Sequence, residues 1–335
     1  METQKLKIAV VGLGKMGLLH SSILSTFPNT KLVAVCDKSA LMDRLYKKIF
    51  SPLGVKVIDD SEKLSSLDLD AVYVTTPISS HSIIVKKILT EGKVRNLFVE
   101  KTLSQDYTQA KELCSLSKQV NAITMVGYMK RFSVIFGKAK ELLNKGDLGE
   151  PLSFKAYAYS SDFLGITKES KSSATRGGAV RDSGCHLIDL ALWLLGDFEV
   201  KQIISREDTL IGSETFISFS TQGSMGLEGQ IDISQKMQNY RMPEFGLSIN
   251  CSKGLIEVND DRLFLSLPNG DKKKWYKHDL NDGVDFFLGE SEYFRENKEF
   301  VNAVTEKRTC QPNFDTASKV DSVIDQVREK SGDSK

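Results

Sequence analysis

The residues best equipped for chemistry gather in Gly177-Gly178-Ala179-Val180-Arg181-Asp182-Ser183-Gly184-Cys185-His186-Leu187-Ile188-Asp189. A histidine flanked by aspartates four positions before and three after it has the makings of a proton-transfer face. Imidazole exchanges a proton near neutral pH, and a nearby carboxylate can orient or tune it. The stretch runs on apolar through Leu195 to Gly196, which predicts a helix over residues 183–195 with Asp182 or Ser183 as N-cap. At about 100° per residue, Asp182, His186, Asp189 and Trp193 share a stripe about 60° wide on an otherwise apolar helix. Such a helix is buried, and a buried carboxylate needs a partner. The stripe is therefore either a packed polar network, with Asp189 meeting an arginine, or an acid/base face lining a pocket.

A second set of residues favours the pocket. Residues 7–11 form a continuous apolar run, as in a strand buried on both faces, and Gly12-Leu13-Gly14-Lys15-Met16-Gly17 follows at once. In a G-x-G-x-x-G loop the first glycine permits the tight turn and the second lets a pyrophosphate approach the backbone, while the third packs the helix on the strand. Lys15 and Met16 lie inside this loop. Free N–H groups at the helix start would bind phosphate oxygens. The next strand-like run, 32–36, ends at Asp37, whose carboxylate suits ribose hydroxyls and repels a 2′-phosphate. The cofactor expected is NAD, and Lys38 leaves NADP open.

Those loops need a sheet to hold them. Strand-like runs at 55–58, 70–74, 96–99 and 122–127 alternate with helical segments at 81–90 and 104–118, the pattern of a parallel doubly wound sheet. Ligands bind off the carboxyl ends of such strands, where Thr76, Pro77, His81, Glu100, Lys101 and Tyr128 fall. Farther on, runs at 152–159, 214–220, 225–233, 245–251, 255–258, 263–267 and 273–276 mostly alternate apolar with polar residues. That is an open, mostly antiparallel sheet with one wet face. The expected organisation is a Rossmann domain over 1–121 and an α+β substrate-binding and oligomerisation domain over 122–335. The last helix, about 316–329, is expected to pack back on the first domain. The polar segment 161–176 carries Lys168, Lys171 and Arg176, cations available to an anionic ligand.

Bulk properties exclude several classes. The 335 residues carry 45 basic against 44 acidic side chains, which argues against nucleic acid or an anionic membrane as partner. No apolar run approaches the roughly 20 residues of a membrane span, and the N-terminus lacks a signal peptide's apolar core. Five scattered cysteines without C-x-x-C spacing fit a reducing cytoplasmic setting, with no metal site expected.

Together these marks resemble the Gfo/Idh/MocA family, the glucose-fructose oxidoreductase and inositol dehydrogenase-like enzymes. Gly12 to His20 is similar to its cofactor loop, Thr76-Pro77 with His81 to its fourth-strand turn, and Glu100-Lys101 to its E-K-P signature, with Thr102 in place of the proline. Asp182-Ser183-Gly184-Cys185-His186 matches its D-x-G-x-H signature, and Gly127-Tyr128 with Arg131-Phe132 and Gly146, Gly149 and Pro151 resemble smaller marks. The resemblance implies hydride transfer between a nicotinamide and a secondary alcohol or carbonyl of a sugar, polyol or sugar derivative. It implies His186 as general base or acid, Asp182 as its helper, and Lys101 as the cation stabilising alkoxide charge. Tyr128, Arg131, Arg176 and Asp189 are further candidates for substrate contact, and a homodimer or homotetramer is expected. A non-catalytic nucleotide or sugar sensor on the same fold is the rival reading.

Overall fold

The computed structural model describes residues 5–162, 177–208, 213–240, 242–284 and 290–332, apart from the side chains of 40–43. The chain divides into two compact units, Met1–Tyr128 with Val284–Asp321, and Met129–Gly283 with Ser322–Lys335. The boundary therefore falls after Tyr128 and not at 121/122, because the strand expected at 122–127 completes the first sheet. The chain also returns to the first unit near its end, so the final helix contributes residues to both.

The first unit is a six-stranded parallel sheet in the order β3-β2-β1-β4-β5-β6. Its strands are β1 (Leu6–Val11), β2 (Thr30–Cys36), β3 (Lys56–Ile58), β4 (Ala71–Val74), β5 (Asn96–Val99) and β6 (Ile123–Val126). The central strands are apolar along their length because both faces are covered, and Ala71 to Val74 are wholly buried. The helices α1 (Lys15–Thr26), α2 (Ala40–Phe50), α3 (His81–Glu91) and α4 (Tyr107–Gln119) connect them. Order 3-2-1-4-5-6 places the crevice for a dinucleotide at the carboxyl ends of β1 and β4, where the strand order reverses.

The second unit is built on an eight-stranded sheet, β14-β13-β12-β11-β7-β10-β9-β8. Its strands run in chain order as β7 (Pro151–Tyr159), β8 (Phe198–Asp208), β9 (Glu214–Gly223), β10 (Glu228–Ser234), β11 (Glu244–Cys251), β12 (Gly254–Asn259), β13 (Arg262–Ser266) and β14 (Lys272–Tyr276). All neighbours are antiparallel except β7 with β10. On β7, Phe154, Ala156 and Ala158 are buried while Ser153, Lys155 and Tyr157 are more exposed. The covered face packs under α5 (Val134–Asn144) and α6 (Cys185–Leu195). The expected alternation holds, with β8 as an unforeseen edge strand.

Two further helices, α7 (Ser291–Glu306) and α8 (Phe314–Lys330), complete the described chain. No described helix is long and apolar enough to cross a membrane.

Candidate functional site

In the first unit, local backbone geometry makes the nucleotide loop. Gly12 sits at φ +94°, and a Cβ there would meet Thr76 at 2.8 Å. A Cβ on Gly17 would lie 1.8 Å from the Gly12 carbonyl oxygen, so α1 reaches the strand only because both residues are glycine. Gly14 stands at the start of α1 with open space around its α-carbon, which leaves room for a pyrophosphate against the helix N-terminus.

The Asp37 carboxylate braces this loop. One oxygen accepts the Leu13 N–H at 2.7 Å and the other the Ser39 N–H at 2.8 Å, while the Tyr46 hydroxyl donates to the Leu13 carbonyl. A cavity of about 750 Å³ opens beside the loop, lined among others by Gly12, Gly14, Lys15, Met16, Asp37, Lys38, Thr76 and Pro77. Its size, its glycine floor and its acidic edge fit an NAD dinucleotide.

Gly17, His81, Glu100 and Lys101 do not line that cavity. His81 is fully buried, with Nδ1 at 2.9 Å from the Thr102 carbonyl oxygen and Nε2 at 2.8 Å from that of Thr76. Burial holds its pKa below the ordinary value despite those two acceptors. The ring thus lies between the Thr76-Pro77 turn and the segment after β5, and as a neutral imidazole it donates its one N–H to one of the two carbonyls. Glu100 is buried as well, and its Oε2 accepts the main-chain N–H of Lys101 at 3.1 Å. Lys101 itself is half-buried.

In the second unit the acid/base helix starts earlier than its sequence suggests. A π-helical turn, Val180–Gly184, runs straight into α6, with Ala179 before it. Asp182 is therefore inside the first turn and not at the N-cap. Gly178, at φ +81°, leaves no room for a side chain beside the Glu214 carboxylate, which accepts the Val180 N–H at 3.1 Å. A Cβ on Gly184 would strike Ile233 of β10 at 2.5 Å, so the turn lies directly on the sheet. π-turns inside helices recur at functional sites, because they re-aim side chains within one turn.

His186 is 8% exposed, its ring edge-on to Phe245 with centroids 5.9 Å apart. The Lys130 ammonium lies over the other partner of this contact, 5.1 Å from the Phe245 centroid, and pairs with Asp260 at 2.8 Å. Asp182 accepts a hydrogen bond from the Gln235 amide at 3.1 Å. Lys130, Gln235, Phe245 and Asp260 were not singled out by the sequence. Lys130 adjoins a recognisable mark, but the other three come from strands and turns far along the chain.

Asp189 meets an arginine, as the packing reading of the stripe expected. Both its oxygens accept from Arg131, at 2.6 Å each, and the guanidinium carbon lies 5.8 Å from the centre of the Trp193 ring. Burial pushes the Asp189 carboxyl above the ordinary range, against the charge and hydrogen bonds of Arg131. The two hold each other through two hydrogen bonds, as the packed-network reading of the stripe expected. Tyr128 is fully buried at the end of the first unit. Arg176, Lys168 and Lys171 lie outside the described residues.

Comparison with known proteins agrees with this arrangement. A family model for the oxidoreductase family with an NAD-binding Rossmann fold matches residues 6–128, and the GFO/IDH/MocA C-terminal domain model matches residues 136–257. The scyllo-inositol 2-dehydrogenase (NAD(+)) of Bacillus subtilis (strain 168) is 32% identical over 204 residues, which is 58% of this chain and 55% of that protein. The chain thus spans little more than half the length of this relative. The inositol 2-dehydrogenase of Rhizobium meliloti (strain 1021) is 23% identical over 92% of this chain and 91% of its own. A levoglucosan dehydrogenase in complex with NADH and L-sorbose shares the fold with a TM-score of 0.85 at 19% identity, covering 98% of this chain and 97% of the other.

Proposed function

Because the chain belongs to the Gfo/Idh/MocA oxidoreductases, whose first domain is an NAD-binding Rossmann fold, we propose that it is an NAD-dependent dehydrogenase of a cyclic polyol or sugar. The relatives named as inositol dehydrogenases support a ring polyol as the substrate class. When bound, the nicotinamide supplies the hydride acceptor or donor, and the protein's own residues handle the proton and the charge. In oxidation His186 takes the hydroxyl proton, and in reduction it returns it. Asp182, held by Gln235, orients the imidazole or a substrate hydroxyl. Lys101 stabilises the alkoxide charge that develops as the proton leaves.

The observation that carries this reading is the placement of Asp182 on a π-turn that runs straight into the helix bearing His186, in a chain whose other unit has the glycine loop. A nucleotide sensor has no use for an acid/base pair. The braced carboxylate of Asp37 favours NAD over its 2′-phosphate counterpart. All five cysteines are buried and outside any disulfide, consistent with a reducing cytoplasmic setting, and the polar open face of the second sheet is where a homodimer or homotetramer would form. The test is absorbance at 340 nm with NAD and a panel of inositols, aldoses and sugar acids. The reading requires turnover of at least one ring polyol or sugar, and tight NAD binding without turnover of any would favour the sensor.

A further inference from the structure

Helix α7 carries an anomaly. Its buried face includes Glu292, Glu296 and Asn297, each fully inaccessible, where an amphipathic helix would place apolar residues. Neither oxygen of Glu296 has a hydrogen-bond partner among the described residues, and the same holds for the Tyr73 hydroxyl on β4. The His20 ring of α1 packs within 4.9 Å of Phe98 and 5.6 Å of Tyr73, centroid to centroid. Its Nε2 lies 2.9 Å from Glu100 Oε1 and its Nδ1 contacts the Asn297 amide. One ligand atom each of His20, Glu100 and Glu296 lie within 4.8 Å of one another. Two carboxyl groups thus share an apolar, aromatic-walled space with a single imidazole.

Two buried carboxylates that close cannot both be charged at low cost. Burial pushes Glu100 up, yet the hydrogen bond and charge of His20 and the charge of Lys101 leave it below the ordinary carboxylate range. Burial first, and then the charges of Glu100 and Glu292, hold Glu296 well above that range. Among the described residues, the titratable groups facing Glu296 are Glu100, just after β5, Glu292 and Tyr293 from α7, His20 from α1 and Tyr73 from β4. None of them is a lysine or an arginine. Gly127, after β6, makes room for the charged partner: a Cβ there would lie 3.1 Å from Glu100 Oε1.

The geometry points to a positioning unit for Lys101: the carboxylate of Glu100, clamped by His20 and backed by Glu296, holds the Lys101 main chain and sets the charge beside its ammonium. This rests on the proposed role of Lys101 but goes beyond it, since it makes Glu100 a support for the lysine and not a cofactor contact. His20 is already engaged through both ring nitrogens, so the imidazole could ligate a cation only by breaking one of those bonds.

Competitive labelling of amines with acetic anhydride, read by peptide mass spectrometry on the full chain, gives the protonation midpoint of Lys101 without any substrate. Glu100→Gln removes the adjacent negative charge, so the midpoint falls by about one pH unit. Turnover of the inositol used falls roughly thirtyfold or more, with the KM for NAD within about threefold. Gly127→Ala, which crowds the carboxylate but keeps its charge, lowers kcat with the midpoint unchanged. It serves as the second variant should Glu100→Gln fail to fold. Glu296→Leu lowers kcat, and the neutral mimic Glu296→Gln restores it. An unmoved Lys101 midpoint in folded Glu100→Gln overturns the unit, as does failure of Glu296→Gln to restore kcat or stoichiometric zinc in the purified protein. If Lys101→Ala keeps full turnover while the midpoint still shifts, the proposed role of Lys101 fails and the unit stands.

Discussion

The nucleotide loop and the acid/base turn are both built on glycines, yet they are assembled in different ways. At the loop, Gly12, Gly14 and Gly17 lie within six residues of one another, and the brace from Asp37 arrives with the next strand. At the turn, Gly178 and Gly184 only admit partners from elsewhere, Glu214 and Ile233. Asp182, His186 and Asp189 are then fixed by Gln235, Phe245 and Arg131, up to 59 residues away in sequence (245 − 186). A site made of backbone is specified locally, whereas a site made of side chains is specified by packing.

The most damaging way to break the first kind is one methyl group. Gly17→Ala should reduce NAD affinity on the order of 100-fold, roughly 2.7 kcal/mol, because the added carbon would overlap the Gly12 carbonyl. Fluorescence titration with NADH measures it, and affinity within threefold of wild type would show that the loop can yield. The corresponding break in the second unit removes a partner. Arg131→Leu leaves the fully buried Asp189 without its bidentate cation, and the expected loss is about 3–5 kcal/mol of unfolding free energy. Denaturant titration checks this, and Asp189→Asn combined with Arg131→Leu should recover part of the loss if the charge is the cause.

A smaller effect sharpens the contrast, because Glu296 belongs to neither construction. Its carboxyl stays protonated in the fold well above the unfolded value of about 4.3, so the native state holds one proton more than the unfolded chain once pH exceeds that value. Stability then falls as pH rises, by up to about 1.4 kcal/mol per unit, until the native group ionises. Glu296→Gln removes this dependence. Its Tm advantage over wild type should grow between pH 5 and pH 8, and a constant difference across that range would mean that Glu296 is charged in the fold.

This division explains what the sequence reveals. The parallel sheet and the alternating second sheet are written in apolar runs of period two or in unbroken runs, and the glycine spacing states the phosphate site outright. β8 escapes because Phe198–Asp208 is an edge strand, mostly exposed, with three register irregularities against β9. α7 escapes because its inward stripe contains Glu292, Glu296 and Asn297, so its periodicity looks polar all round. The domain boundary shifts because the strand-like run at 122–127, already read with the parallel sheet, belongs whole to the first unit. In the D-x-G-x-H stretch the residue types are legible, but Asp189 resembles Asp182 until Arg131 is seen holding it. The π-turn has no sequence signal beyond its glycines.

The central claim is that His186 moves the proton. Initial rates at 340 nm with the preferred polyol, across pH 5 to 10 for wild type and His186→Asn, test it with NAD saturating. The expected result is a loss of kcat on the order of 10²–10⁴-fold and disappearance of the acidic limb of the kcat profile, with NAD affinity retained. Turnover within tenfold of wild type, with that limb still present, would contradict the assignment.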